Sequence, residues 1–156
     1  MAVVKGILFH VGNEVYGIGI LNIRGIEKVA NIFPIPNAPS YISGIINLRG
    51  DVIPVFNLRD KFGLPSEPVT DATKLIIAKS KDIVVAFVVD QVKEIIEIPE
   101  EEMVDPPIIV KNVNTKYVGK VAHIRDSLVI FLDLDGLLSE SEQENIEKIL
   151  KETEEK

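Results

Sequence analysis

Cysteine is absent from this chain, which excludes disulfides, thiolate metal sites and a cysteine nucleophile together. His10 and His123 are the only histidines, and they share no short ligand spacing, so each reads as a strand or surface residue. Asp133-Leu134-Asp135-Gly136 has half the pattern of a calcium loop, but Leu137 and Leu138 follow, and Glu144 stands beyond a broken pattern. Gly17-Ile18-Gly19 lies in an apolar alternation that reads as a strand, with neither a helix start nor a lysine–serine pair after it. No serine sits in a Gly-x-Ser-x-Gly elbow, and Glu100-Glu101-Glu102 reads as a solvated corner. These residues assemble no active site. The expectation is a protein without enzymatic activity, cofactor or metal.

A binding surface is better supported. In Gly44–Leu58, two apolar runs, Ile45-Ile46 and Val52–Phe56, flank a polar corner of Asn47, Arg49, Gly50 and Asp51. Gly50 supplies the positive φ of a tight turn. Arg49 beside it is held out on a short, stiff loop, a posture suited to a partner contact. Gly44 and Gly50 have two readings at this level, hairpin geometry and close approach of a partner.

The elements that position this corner are mostly strands. Ile7–Val11 and Val15–Leu21 flank Gly12-Asn13, a two-residue hairpin signal. Ile23, Ile26 and Val29 continue an apolar face, and Pro34, Pro36 and Pro39 force an irregular connection. Pro54 inside an apolar run suggests an edge strand or a bulge, because it has no N–H to give a ladder. Asn57–Phe62 reads as a short helix stopped by Gly63. Two more hairpins follow, Leu75–Lys79 with Ile83–Val89, and Val118–Ile124 with Leu128–Leu134.

The halves repeat. A shift of 76 carries Asn47 to His123, Arg49 to Arg125 and Val52–Phe56 to Leu128–Leu132, while a shift of 69 carries Ile23, Ile26 and Val29 to Val92, Ile95 and Ile98. Two β-units of about 70 residues are each too small to bury enough apolar surface alone, so they should share a hydrophobic seam. The net charge of −7 argues against nucleic-acid binding, and seven glutamates and three lysines after Leu138 place four of those negative charges in a C-terminal helix. Ile146, Ile149 and Leu150 are spaced to pack one stripe of that helix on the body. No apolar run approaches membrane-spanning length and the first residues do not resemble a secretion signal, so a cytoplasmic location is expected.

Asn47-Leu48-Arg49-Gly50, the apolar run after it and Asn57-Leu58 closely resemble the signature of CheW-type chemotaxis coupling proteins. The resemblance extends to Tyr16-Gly17-Ile18, Pro36-Asn37-Ala38-Pro39, Ile42-Ser43-Gly44, Ala86–Val92 and Leu132-Asp133-Leu134. It implies an all-β fold of two intertwined or packed five-stranded SH3-like barrels with short helices and a C-terminal helix. Residues 1–138 would form the domain, with subdomains at approximately 15–70 and 71–135 and strand exchange at their ends, and 139–156 an acidic helix or tail.

The same resemblance implies a stand-alone, non-enzymatic adaptor linking the cytoplasmic tip of methyl-accepting chemotaxis receptors to the regulatory domain of the chemotaxis histidine kinase. Weak self-association in rings and recruitment to membrane-anchored receptor arrays go with that role, without membrane insertion. A scaffold for a non-flagellar chemosensory pathway is the alternative. Carried over by residue, the receptor- or kinase-binding surface comprises Asn47, Leu48, Arg49 and Gly50, with Gly44 supporting their strand, together with Ile23, where the family contributes an apolar partner contact, and Arg24 and Glu27 beside it. Gly25 departs from the family pattern, where a glutamate is common, and Arg125 lacks the glycine that follows Arg49.

Overall fold

The computed structural model describes residues 2–29, 31–80, 83–105, 118–137 and 140–154. Alternating apolar residues at the N-terminus form β1 (Val3–Val11) and β2 (Glu14–Gly19), which pair antiparallel around Gly12 at φ +64. A 3-10 turn at Ile20–Asn22 replaces the expected end of that strand and leads into β3 (Ile23–Lys28). The signature region becomes β4 (Ile42–Leu48) and β5 (Asp51–Asn57), capped by the one-turn helix α1 (Leu58–Lys61). Asn57 accepts the Asp60 N–H as N-cap, and Gly63 at φ +74 ends the turn, as the sequence indicates.

The second half runs through β6 (Lys74–Ser80), β7 (Ile83–Val89), β8 (Gln91–Pro99), a 3-10 turn at Glu100–Glu102, β9 (Met103–Val104), β10 (Val118–Ile124) and β11 (Ser127–Leu132). The turn residues Lys81 and Asp82 lie outside the described residues. The last apolar residues expected in β11 are not strand: Leu134 starts α2 (Leu134–Leu137), which precedes α3 (Glu140–Glu154).

Strands on both sides of residue 70 occur in each sheet. One is ordered β3-β6-β7-β5-β4 and the other β8-β1-β2-β11-β10-β9. Apart from the two-residue β9, the orders correspond strand for strand under the internal repeat, except that each half of the chain has lent its first hairpin to the other. The lent hairpin docks the same way in both, through short parallel pairings of β7 with β5 and of β2 with β11. Both sheets also bulge at the same place, between Ile42 and Gly44 in β4 and between Val118 and Lys120 in β10.

Phe33 bridges the outer edge of β4, exchanging N–H···O bonds with Ile45 at 2.8 and 2.9 Å, as β9 covers β10. That approach requires Gly44. Its φ is +150, and an added Cβ would overlap the Phe33 carbonyl. Because Ile45 bonds to Phe33, its β5 partner Pro54 turns its nitrogen away from β4, to the side where β7 pairs only from Val55 onward. Pro54 is thus tolerated inside a sheet, neither on an edge strand nor at a bulge of its own strand, the two places its type suggested; the nearby bulge is on β4 between Ile42 and Gly44.

Three apolar layers result. Ile46, Ile53, Val55, Leu75, Ile77 and Ala86 fill the five-stranded sheet, and Leu8, Ile98, Ala122, Val129 and Phe131 the six-stranded one. Gly6 and Gly17 leave room for the Phe131 ring, which a Cβ at either would strike. The third layer is the expected seam: Phe9, Ile18, Phe56, Ile76, Phe87, Leu132 and Ile146 bring residues of both sheets and α3 together. Strands such as β6 are therefore apolar on both faces, with Leu75 and Ile77 inward and Ile76 and Ala78 in the seam. Lys61 fastens α3 through Glu142 at 2.7 Å.

A polar cluster crosses the seam. Arg59 on α1 donates from Nε and Nη2 to the two carboxylate oxygens of Asp90 at 3.0 and 2.6 Å, and from Nη1 to the Pro65 carbonyl at 2.9 Å. Asp90 also accepts the Gly12 N–H at 2.8 Å. Burial disfavours the Asp90 charge, but the hydrogen bonds from Arg59 and Gly12 and the positive charge of Arg59 outweigh it and hold the carboxyl below its ordinary value.

Two outcomes are expected. Gly44→Ala should lose about 2 kcal/mol of stability from strain and overpacking, read by urea unfolding; a loss within error of zero would mean that Phe33 does not approach as described. Asp90→Asn should cost about 2 kcal/mol at pH 7. Since the native pKa is depressed, that advantage of the wild type is complete above the unfolded carboxylate value near ~pH 4 and fades as pH falls through the lower native value. A deficit of the same size at neutral and strongly acid pH would contradict the assignment.

Candidate functional site

The β4–β5 turn places both central residues in the left-handed region, Arg49 at φ 52 and Gly50 at φ 92. Arginine there costs about 1 kcal/mol. Asn47 offsets part of it, its Oδ1 accepting the Gly50 N–H at 3.0 Å. The Arg49 side chain is 80% exposed and reaches Glu27 on β3 through one contact, Nη2 to Oε1 at 3.3 Å. Strands β3 and β4 are opposite ends of the same sheet, so this pair spans the line along which the sheet curls back on itself.

The second half repeats the device with a different grip. Arg125 at φ 46 and Asp126 at φ 65 form the β10–β11 turn. Arg125 donates through Nη1 and Nη2 to both oxygens of Glu94 on β8, at 2.9 and 2.5 Å, joining one end strand to the far side of the sheet, where only the two-residue β9 lies beyond β10. This hydrogen-bonded fork lowers the pKa of Glu94 and raises that of Arg125. Arg125 is held by both arms of a carboxylate, whereas the guanidinium of Arg49 touches one oxygen at the outer limit of a hydrogen bond.

The other sequence-selected residues divide by role. Leu48 packs against the interior of the five-stranded sheet, Ile23 against the seam, and Gly44 admits Phe33. Arg24 is exposed at a bulge of β3 between Ile23 and Gly25. Around Gly25 there is open space, the nearest atom to an added Cβ being Glu27 Oε1 at 3.9 Å. The structure therefore brings Glu27 to Arg49 and Asn47 to Gly50, while Ile23, Leu48 and Gly44 serve packing.

Sequence reasoning missed the Arg59–Asp90 fork, whose partners are 31 residues apart and share no pattern. It also missed Leu21, which is 97% exposed on the 3-10 turn beside an apolar cleft of about 480 Å³ lined by Ile18, Ile20, Leu132 and Leu134. His10 and His123 lie on β1 and β10, with β2 and β11 between them. Among the described residues no three His, Cys, Asp or Glu side chains are grouped to hold a metal ion, and no helix is long and apolar enough to cross a membrane.

Residues 5–142 match the CheW-like domain family. The crystal structure of the scaffolding protein TtCheW from Thermoanaerobacter tengcongensis superimposes with a TM-score of 0.83 at 31% identity, covering 90% of this chain and 96% of that one. The chemotaxis protein CheW of Treponema pallidum is 30% identical over 144 residues, 90% of this chain and 85% of the relative. Protein FrzA of Myxococcus xanthus is 27% identical over 100 residues, 64% of this chain and 62% of the relative. The two exchanged sheets are thus SH3-like barrels, and a family match across nearly the whole chain shows that it belongs to the CheW-like domain family.

Proposed function

We propose that this chain is a non-enzymatic adaptor in chemotaxis signalling, binding the cytoplasmic tip of chemotaxis receptors and the regulatory domain of a chemotaxis histidine kinase. The supporting observation is the unequal grip on the two turn arginines. Arg49 stands on a rigid left-handed turn with one long contact, so a partner carboxylate or carbonyl can engage its remaining donors at small cost. The exposed pair with Glu27 is worth under about 1 kcal/mol and is easily exchanged. Arg125, already bidentate, has less to offer and closes its barrel.

In this reading Arg49, Asn47, Gly50, Arg24 and Glu27 face the receptor, with Leu48, Gly44 and Ile23 holding their strands in place. The chain works in the cytoplasm, recruited to membrane-anchored receptor arrays, and weak self-association in rings follows from the repeated barrels. The likeness to protein FrzA supports a second reading, the same scaffold serving a non-flagellar chemosensory pathway.

Titration calorimetry with a receptor-tip hairpin, and separately with the kinase regulatory domain, tests this. Arg49→Ala should weaken receptor binding roughly tenfold or more, the loss of about 1.5–3 kcal/mol of charged hydrogen bonding. Kinase-domain affinity and the melting transition should stay near wild type. Equal receptor affinities for wild type and a folded Arg49→Ala would remove Arg49 from the interface. Failure of the wild type to bind either partner would favour the second reading.

A further inference from the structure

We propose that Arg59 and Asp90 are a positioning pair that sets the angle between the two barrels, and with it the relative orientation of the partner-binding faces. This rests on the adaptor reading, since only a protein with two partners needs its faces held in register. The chain passes from the five-stranded to the six-stranded sheet between β7 and β8, and Asp90 is the one residue between them. The chain also crosses between the sheets through the Ile20–Asn22 turn from β2 to β3. Two short links, this turn and the Asp90 joint, therefore tie the barrels together, but neither by itself fixes the angle at which they meet. The seam between them is apolar, and apolar burial resists separation but has no direction.

The Arg59–Asp90 cluster supplies direction. A bidentate guanidinium–carboxylate fork is planar and fixes orientation as well as distance. Its members come from four places: α1, which follows β5 of one barrel; the joint itself; the β1–β2 turn of the other barrel through the Gly12 N–H; and the strap beyond α1 through the Pro65 carbonyl. The Asp90 N–H in turn donates to the His10 carbonyl at 2.9 Å, so the joint is tied to the second barrel by main chain as well. The carboxylate bridges donors from both barrels. The pair lies apart from the candidate binding turn, since α1 leaves the far end of β5, a strand of seven residues spanning roughly 20 Å.

The absence of native cysteine permits a direct measurement on the full chain. Cysteines introduced at exposed Lys79 on β6 and Leu128 on β11 carry spin labels, one on each barrel, and pulsed electron resonance reads their distance distribution. A single narrow distribution is expected with Arg59 present. Arg59→Met should broaden or split it, and Arg59→Lys, which keeps the charge but loses the fork, should lie between. Should Arg59→Met not fold, Arg59→Lys carries the test on the same criterion.

Calorimetry on the same variants then measures each partner alone and in the presence of the other. Binary affinities should stay within about twofold, because the pair is remote from the contact residues. The factor by which one partner changes the affinity of the other should fall toward one. An unchanged distance distribution, or an unchanged coupling factor, in a folded variant overturns the proposal. If the wild type binds neither partner, the adaptor reading fails while the distances still decide whether the pair sets the barrel angle.

Discussion

Neither barrel is complete without strands from the other half of the chain. Each half gives up its opening hairpin, β1–β2 or β6–β7, and that hairpin becomes the middle of the other sheet. The constraint behind this is size, since a β-unit of about 70 residues buries too little apolar surface to stand alone. Exchange makes the hairpins two-faced: Leu8 fills one barrel interior while Ile7 and Phe9 enter the seam, and Leu75 and Ile77 alternate with Ile76 and Ala78 in the same way. One continuous apolar body results, and β6, β7 and β1 cannot be removed without opening two layers at once.

On that scaffold the same closure appears twice and is put to different ends. Both sheets are spanned by an arginine on a left-handed turn reaching a glutamate at the opposite sheet end. The partner glutamates are not equivalent under the repeat, because Glu27 matches Ile96 and Glu94 matches Gly25. The two-residue offset along the edge strand accompanies the different grips, a single long contact for Arg49 and a fork for Arg125. The departure at Gly25 thus has a local meaning: with no carboxylate there, Arg49 reaches past it to Glu27.

Strands, hairpins and the α1 cap were legible because they are local. Gly12-Asn13, Arg49-Gly50 and Asn57 act through φ preferences and short-range hydrogen bonds that residue type reveals. The seam followed from the small size of each β-unit, and the stripe of α3 from helical spacing. Pro54 was misplaced because its tolerance depends on which side of β5 lacks a partner at that level, and this is a matter of sheet order. Leu134 went to a helical turn although its apolar pattern continued that of β11.

By itself the sequence determined the β content, the duplication and the polar corner at Asn47–Gly50. Tertiary structure alone decided which hairpin completes which barrel, that Gly44 is reserved for the Phe33 backbone, that Glu27 meets Arg49, and that Arg59 and Asp90 meet at the joint. The physical reason is range. Backbone preference and periodicity act over a few residues, whereas exchange and ion pairing are settled by which surfaces meet once two incomplete barrels bury their apolar faces together.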